Sequence, residues 1–439
     1  MAYASSSRRW QIVGLLMALC FISHLNRVSM SVAADERIMK QYGISPTQMG
    51  MVYSAFLLVY TLCMLPGGIF IDRVGPRVAL MVMGFGSAFF GALTGLLGLA
   101  SVGVAQMLPA LLVVRSLMGL LTTPLHPACA RVVADWVPPT RVSSANGLVT
   151  CAAILGVAST YKIFGALIDR FDWPWAFLLA AAATVLLTGL WAVCGADWPK
   201  RIEETEPSEG GPVQEGVGKR GKSPAAPCRH PRLRLTRELV LLTLSYAAIG
   251  YFQYLFFYWM HYYFKNVLQL GAERSRSYAG LPMLALAVGM VLGGWLADRA
   301  QRRFAGRLGR ALVPGVGMLL GTTFLLCGVA VQEPLWIVGF FTLSMGAVGT
   351  SESSFWQTAV ELGGRRGGTA AAVVNTGGNG MGLLAPLLTP AISEQLGWHW
   401  GITVGGLVCF LGALCWWGID PSPREAHSRA LQTISHEPN

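Results

Sequence analysis

This sequence predicts an all-α polytopic membrane protein, with twelve transmembrane helices arranged as two six-helix bundles. Three observations carry that expectation: sparse charge, apolar residues gathered in blocks of spanning length, and markers that recur about 225 positions apart. Only 13% of the 439 residues are charged and 53% are hydrophobic, where soluble domains carry about 25% charged residues. The mean hydropathy is +0.51.

A helix needs about 20 apolar residues to cross a bilayer. Such runs occupy 11–33, 49–71, 78–99, 105–130, 143–168 and 174–195, then 239–264, 277–297, 311–331, 334–356, 368–391 and 399–418. Between the sixth and seventh, residues 196–237 are rich in Pro, Gly and charges of both signs, the composition of a flexible tether. A polybasic lipid contact through Arg229, Arg232, Arg234 and Arg237 is the other reading of that segment. The chain thus divides into bundles at 1–195 and 238–420, a linker at 196–237 and a tail at 421–439.

Of the 33 Lys and Arg, 24 fall in loops and tails on the side of the N-terminus, 6 in the opposite loops and 3 within runs. The positive-inside rule then places both termini and the linker in the cytoplasm. The net charge of +11 reports topology and calls for no nucleic-acid partner. Eight of the nine cysteines lie in apolar runs, only Cys228 lies in a loop, and none has metal-ligand spacing. No G-x-x-x-x-G-K-[ST] or H-E-x-x-H occurs, so neither an enzyme nor a cofactor is expected.

The halves resemble each other. "GGIFIDRVGPR" (67–77) follows the second run and "GGWLADRAQRR" (293–303) the eighth, with Asp72 and Asp298 226 residues apart. "DWPW" (172–175) and "GWHW" (397–400) enter the sixth and twelfth, and Arg141 and Arg366 are a further pair, 225 apart. Repeated bundles predict a substrate path at their interface near the midplane. Within the loop, Gly68 is expected to let helices approach and Asp72 to face a helix N-terminus, with Arg73 and Arg77 on acidic or carbonyl groups. Gly294, Asp298 and Arg299 form the second copy.

Polar residues inside the runs are the functional candidates, since burying charge in a bilayer needs a partner or a wet cavity. Arg27 either snorkels toward the charges at Asp35 and Glu36 or faces a cavity. Arg115, deep in its run, must face a partner or a wet cavity. Lys162 snorkels or draws anions inward. Glu352 has three open readings: proton carrier, ion-pair partner of Arg115, or interfacial residue. His24, one turn before Arg27, either packs or titrates. Asn375 and Asn379, four apart, share one helix face.

The order of "HLNRVSMSVA", "MGMVYSAFLLVYTLCMLPGGIFIDRVGPR", "VVRSLMGLLTTPLHPACARVVADWVP" and "GGTAAAVVNTGGNGMGLLAP" resembles the anion:cation symporters of the major facilitator superfamily, a group that includes hexuronate, galactonate and phthalate permeases and the vesicular glutamate and sialic acid transporters. The resemblance implies the major facilitator fold and alternating access. It also implies that Arg27 and Arg115 meet an anion, that Tyr60, Asn375 and Ser353 meet polar groups, and that Trp356 lines the cavity wall. Asn26 and Thr122 stand where proton-coupled members carry acids, and His261 where many carry proline. The expectation is a monomeric transporter in the lipid bilayer of a plasma or bacterial inner membrane. It carries a small organic anion, with a proton (at Glu352 or His24) or another ion as coupling partner. An organophosphate or phosphate exchanger and a transport-dead anion sensor are the alternatives.

Overall fold

The computed structural model describes residues 6–100, 102–138, 141–195, 235–304, 306–363 and 367–420. Residues 196–234 of the linker, the tail 421–439, Cys228 and Arg366 lie outside them. The fold is helical throughout the described residues. The first half comprises α1 (Ser6–Ala33), α2 (Met39–Tyr42), α3 (Pro46–Leu62), α4 (Met64–Val74), α5 (Pro76–Leu99), α6 (Val104–Thr122), α7 (Leu125–Trp136) and α8 (Val142–Cys194). The second comprises α9 (Arg237–Tyr262), α10 (Ala272–Arg303), α11 (Gly306–Ala330), α12 (Pro334–Gly349), α13 (Glu352–Gly363), α14 (Gly367–Gly382), α15 (Ala385–Leu396) and α16 (Trp398–Trp416).

Among the described residues nine helices are long and apolar enough to cross a membrane, and the pair α3–α4, bent by 52°, makes ten. α8 breaks at Asp172 (φ 65°, ψ 164°) into two pieces of spanning length. α14 and α15, each short alone, follow one another across Leu383 and Leu384. The order is consistent with the twelve expected spans. Asp172 opens "DWPW" and Gly397 (φ 91°, ψ 157°) opens "GWHW", so the repeat marker is a conserved backbone reversal within this chain. Side chains such as Val193 (84% exposed), Leu186 (74%) and Val291 (70%) are exposed because lipid, not water, solvates them.

Local signals set the helix ends. Ser45 and Gln48 form a reciprocal capping box before Pro46 at the start of α3, and Thr236 accepts from the Leu239 amide at the start of α9. Each gives an orphan N–H a partner.

One boundary differs from expectation. The first run was to end at Ala33, with Asp35 and Glu36 in a loop. Instead the helix continues through a π-turn at Ala34–Ile38 into α2, and both carboxylates are buried. Side chains from α9, from the π-turn that follows it (Tyr263–Val267) and from α10 meet them, cations and an amide among them, so their charge does not end the helix.

The halves touch through α8 against α10, α3 against α14 and α15, and α1 against α9. The described polar contacts between them cluster from the level of Arg27 and Tyr254 to the end of the bundle opposite the chain termini, the far face. There Thr47 N donates to Glu394 Oε1 (3.1 Å) and Ser54 Oγ to the Leu383 carbonyl (2.6 Å). A Cβ at Gly50 would lie 2.1 Å from the Pro386 carbonyl oxygen, across the two halves. Within the second half a Cβ at Gly250 would lie 2.0 Å from the Gly378 carbonyl oxygen. Backbone cannot swing aside as a side chain does, so Gly250→Val is expected to force α9 and α14 apart. The cost is about 1–3 kcal/mol or more, read as a fall in melting temperature and in yield of monodisperse protein.

Candidate functional site

Arg27 sits at mid-length of the first helical run, where the two halves meet. Its guanidinium carbon lies 5.2 Å from the Phe56 ring centroid, 5.1 Å from Tyr60 and 5.1 Å from Tyr254. It does not reach Asp35 and does not snorkel. Its Nη2 donates to the Tyr254 hydroxyl, which donates onward to Asn379 Oδ1 (2.9 Å). Asn379 Nδ2 in turn reaches the Asn375 carbonyl (3.0 Å) and its Oδ1 (3.2 Å). The expected shared face of the two asparagines is therefore present, and Asn375 joins Arg27 through two intermediates. Among the described residues no carboxylate pairs with Arg27. Ring quadrupoles offset part of its charge, at about 0.5–2 kcal/mol per ring, and leave the rest.

Arg115 is 1% exposed. Its Nη2 donates to the Arg27 carbonyl (2.8 Å), and its Nη1 approaches Met118 Sδ (3.3 Å) and the Asn26 carbonyl (3.5 Å). Its guanidinium carbon lies 5.4 Å from the Phe56 centroid, the ring that Arg27 also faces. The structure thus ties Arg115 to the backbone that carries Arg27, and adds a second positive charge without a carboxylate partner among the described residues.

Glu352 belongs to a separate group. Its Oε1 accepts from the Tyr246 hydroxyl (2.7 Å) and Trp356 Nε1 (3.2 Å), and its Oε2 lies 3.4 Å from Gln253 Nε2. The reading of Glu352 as ion-pair partner of Arg115 fails: three neutral donors hold it, and Arg115 is bound to α1. Trp356, 37% exposed, belongs to this group. Ser353 does not turn toward Arg27. Its Oγ is buried, with no hydrogen-bond partner among the described residues, on the side facing Gly294, because one residue along a helix rotates the side chain by about 100° from Glu352.

His24 Nδ1 lies 3.0 Å from the Cys20 carbonyl, and its Nε2 lies 3.4 Å from Nε2 of His126 on α7. Sequence reasoning did not single out His126, although an unexplained histidine within an apolar run was the available signal. Asn26 donates to Thr184 Oγ1 (2.8 Å), and the Thr122 hydroxyl donates to carbonyls of its own helix, so both stand-ins for acids are structural here.

The loop motif behaves partly as expected. Asp72 accepts from Arg131 Nη1 (2.6 Å), a side chain and not a helix N-terminus. Arg77 Nη2 donates to the Ala192 carbonyl (2.6 Å), the role foreseen for it. Gly68 has open space where a Cβ would stand, so it is not the close-packing glycine. Gly67 is: a Cβ there would lie 2.9 Å from Thr123 Cγ2. In the second copy a Cβ at Gly293 would lie 2.1 Å from the Thr350 carbonyl oxygen, while Gly294 makes ordinary contact. The close approach therefore repeats one residue earlier than expected in both halves. Arg73 and Asp298 are exposed, and Arg299 lies 5.8 Å from the Trp295 ring. The position matching Arg131 is Gln357, which bonds Gln301 (3.2 Å).

A buried arginine in an aromatic box at the interface of two repeated helical bundles finds its context in known proteins. The family model described as Major Facilitator Superfamily matches residues 16–386. The probable sulfoacetate transporter SauU of Cupriavidus necator is 27% identical over 94% of this chain and 94% of its own length. The D-galactonate transporter of Escherichia coli is 26% identical over 93% of this chain and 94% of its own length. A hexuronate transporter of Bacillus subtilis is 27% identical over 92% and 93%. Among solved structures, a bacterial homologue of the human lysosomal transporter Spinster, inward-facing and unoccupied, aligns with a TM-score of 0.74 at 15% identity, covering 96% of this chain and 100% of that one. This chain is an integral, multi-pass membrane protein and belongs to the Major Facilitator Superfamily.

Proposed function

We propose that the protein transports a small organic anion carrying a carboxylate or sulfonate, by alternating access between its two halves. The observation that carries this reading is Arg27: a guanidinium at the interface of the halves, lined by three aromatic rings and hydrogen-bonded to a tyrosine, with no acid to pair with among the described residues. A planar anion suits the two-pronged face of a guanidinium. The Tyr254–Asn379–Asn375 chain offers adjacent hydroxyl and amide groups for the remaining polar atoms of the ligand. Relatives named for sulfoacetate, galactonate and hexuronate agree with a small, polar organic anion. The rim of rings around Arg27 favours such a ligand over a multiply charged phosphate, which calls for more cationic donors than Arg27 and a backbone-bound Arg115 supply.

The far face corresponds to the outside, and the chain termini to the cytoplasm, by the distribution of Lys and Arg. The bundle is then closed outside by the contacts of the far face. Proton coupling has two candidate carriers, Glu352 and the His24–His126 pair.

The test is thermal stabilisation of the purified protein by a panel of sugar acids, sulfonates, dicarboxylates, aromatic acids and sugar phosphates, followed by uptake of the best ligand into proteoliposomes. Stabilisation and uptake of a carboxylate or sulfonate support the reading. A sugar phosphate alone as ligand, or binding without uptake, overturns it. Tyr254→Phe removes the hydroxyl between Arg27 and Asn379. It is expected to weaken binding by about fivefold to tenfold, the scale of one hydrogen bond.

A further inference from the structure

His261 lies in the closed far face, away from Arg27, and has no part in binding the anion. Its imidazole is 1% exposed and is flanked by two buried carboxylates: Nδ1 lies 2.6 Å from Asp35 Oδ2 and Nε2 lies 3.3 Å from Glu36 Oε1. A neutral imidazole carries one N–H and one lone pair. It can offer a proton to one of these carboxylates only, and would turn a lone pair toward the other. Both contacts are favourable together only when the three groups hold one proton more than a neutral ring and two carboxylates.

The surrounding charges give the same count. Arg276 of α10 bonds Glu36 through Nε (2.7 Å) and Nη2 (2.6 Å), and also Asp169 of α8. Lys265 Nζ lies 3.0 Å from the Asp35 carbonyl and 3.4 Å from Oδ1, and Asn266 donates to the same carboxylate. Tyr161 stacks on the imidazole at 6.0 Å and donates its proton to the Phe257 carbonyl, so it carries no charge. Tyr53 of α3, buried against Tyr258 and Trp259, is also neutral. The rim pair Lys265 and Asp169 cancels. The buried set of Asp35, Glu36 and Arg276 is left with one negative charge, which an imidazolium at His261 neutralises. Arg37 and Asp172, both of the first half, pair with each other at the rim (3.5 Å) and also cancel. Across the interface Asp35, Glu36 and Asp169 of the first half face His261, Lys265 and Arg276 of the second. Opening this face separates acids from bases and returns each to water.

We propose that His261 is a proton-binding site of the far-face gate: the two halves close there with uptake of one proton, held between the imidazole and the carboxylates of Asp35 and Glu36. Acid on the far side therefore favours the closed gate, and alkali favours the open one. This device is independent of which anion the protein carries, and independent of Arg27.

Hydrogen–deuterium exchange of the full chain in lipid nanodiscs tests it, on peptides covering 34–47 and 262–276. Rates are measured between about pH 5.5 and pH 8, around the range where free imidazole titrates, and corrected for the intrinsic pH dependence of amide exchange. Exchange in the parent protein is expected to accelerate toward alkali, by at most about tenfold per pH unit, the limit for one linked proton. His261→Gln cannot take up the proton, and its corrected rates should be flat with pH. Asp35→Asn removes one carboxylate, so the closed gate is neutral with an uncharged ring; its rates should lose the acceleration toward alkali and stay slow at about pH 8, rising only at the acid end where the imidazole of the open gate takes up a proton. A flat parent profile overturns the proposal, as does a parental slope in either variant. If His261→Gln fails to fold, Asp35→Asn decides alone.

Discussion

Arg27→Ala is expected to abolish ligand-induced stabilisation and uptake while the protein remains folded. The parent arginine hydrogen-bonds the Tyr254 hydroxyl and has no acid partner among the described residues. Its removal leaves no carboxylate buried alone and relieves the first bundle of a desolvated charge. What is lost is the group that pairs with the anion. Truncating one member of a buried charge pair costs about 2–5 kcal/mol, roughly thirtyfold to a few thousandfold in dissociation constant. Arg27→Lys should recover part of this, since it restores charge without the fork. Arg115→Ala should behave differently: it unties α6 from the carbonyls of Asn26 and Arg27, so its melting temperature falls along with its affinity. Ligand stabilisation of Arg27→Ala equal to the parent's would place the anion elsewhere.

Gly50→Ala is the second large effect, and it should act on the transport cycle and leave the fold intact. The added Cβ would meet the Pro386 carbonyl at 2.1 Å and Leu387 Cα at 3.4 Å, and both belong to the other half. The two bundles can each fold without that contact, but they cannot close the far face on it. An overpacking cost of about 1–3 kcal/mol shifts the closed-to-open ratio by about fivefold to more than a hundredfold. Uptake should fall accordingly, while melting temperature stays near the parent's and far-face peptides exchange faster. The contrast with Gly250→Val, whose clash lies within one bundle, separates a gating defect from a folding defect. Unchanged uptake by Gly50→Ala would show that the closed far face is not a required state.

The broad architecture was legible because it rests on quantities that a sequence carries directly: run length, charge sidedness and a repeat near 225 residues. Arg27, Tyr60 and the Asn375–Asn379 face were legible for a related reason, since polar atoms inside apolar runs need an explanation. What escaped notice depends on rotation or on distant partners. Which of two adjacent glycines, Gly67 or Gly68, faces the neighbouring helix is a matter of about 100° around the axis, and the same rotation turns Ser353 away from the site. Asp35 and Glu36 read as loop charges because the residues that neutralise them, His261, Lys265 and Arg276, stand more than 200 positions later in the chain. Arg115 was expected to hold the anion. Carbonyl oxygens of α1, invisible in a pattern of side chains, take one N–H from each of its terminal nitrogens, and its buried Nε has no hydrogen-bond partner among the described residues.

The lack of a carboxylate beside Arg27 also bears on how the carrier returns empty. In the sealed state that alternating access requires between its two open ones, the two guanidiniums would keep rings, a tyrosine hydroxyl, a thioether and backbone carbonyls for neighbours, and no carboxylate among the described residues. Isolated charge in so dry a place is costly, and a bound anion removes most of that cost. The loaded carrier should therefore turn over faster than the empty one. Radiolabelled substrate will equilibrate across proteoliposomes preloaded with unlabelled substrate sooner than it accumulates in empty ones: in kinetic terms, counterflow outruns net flux, and the anion acts as its own counter-ion for the passage.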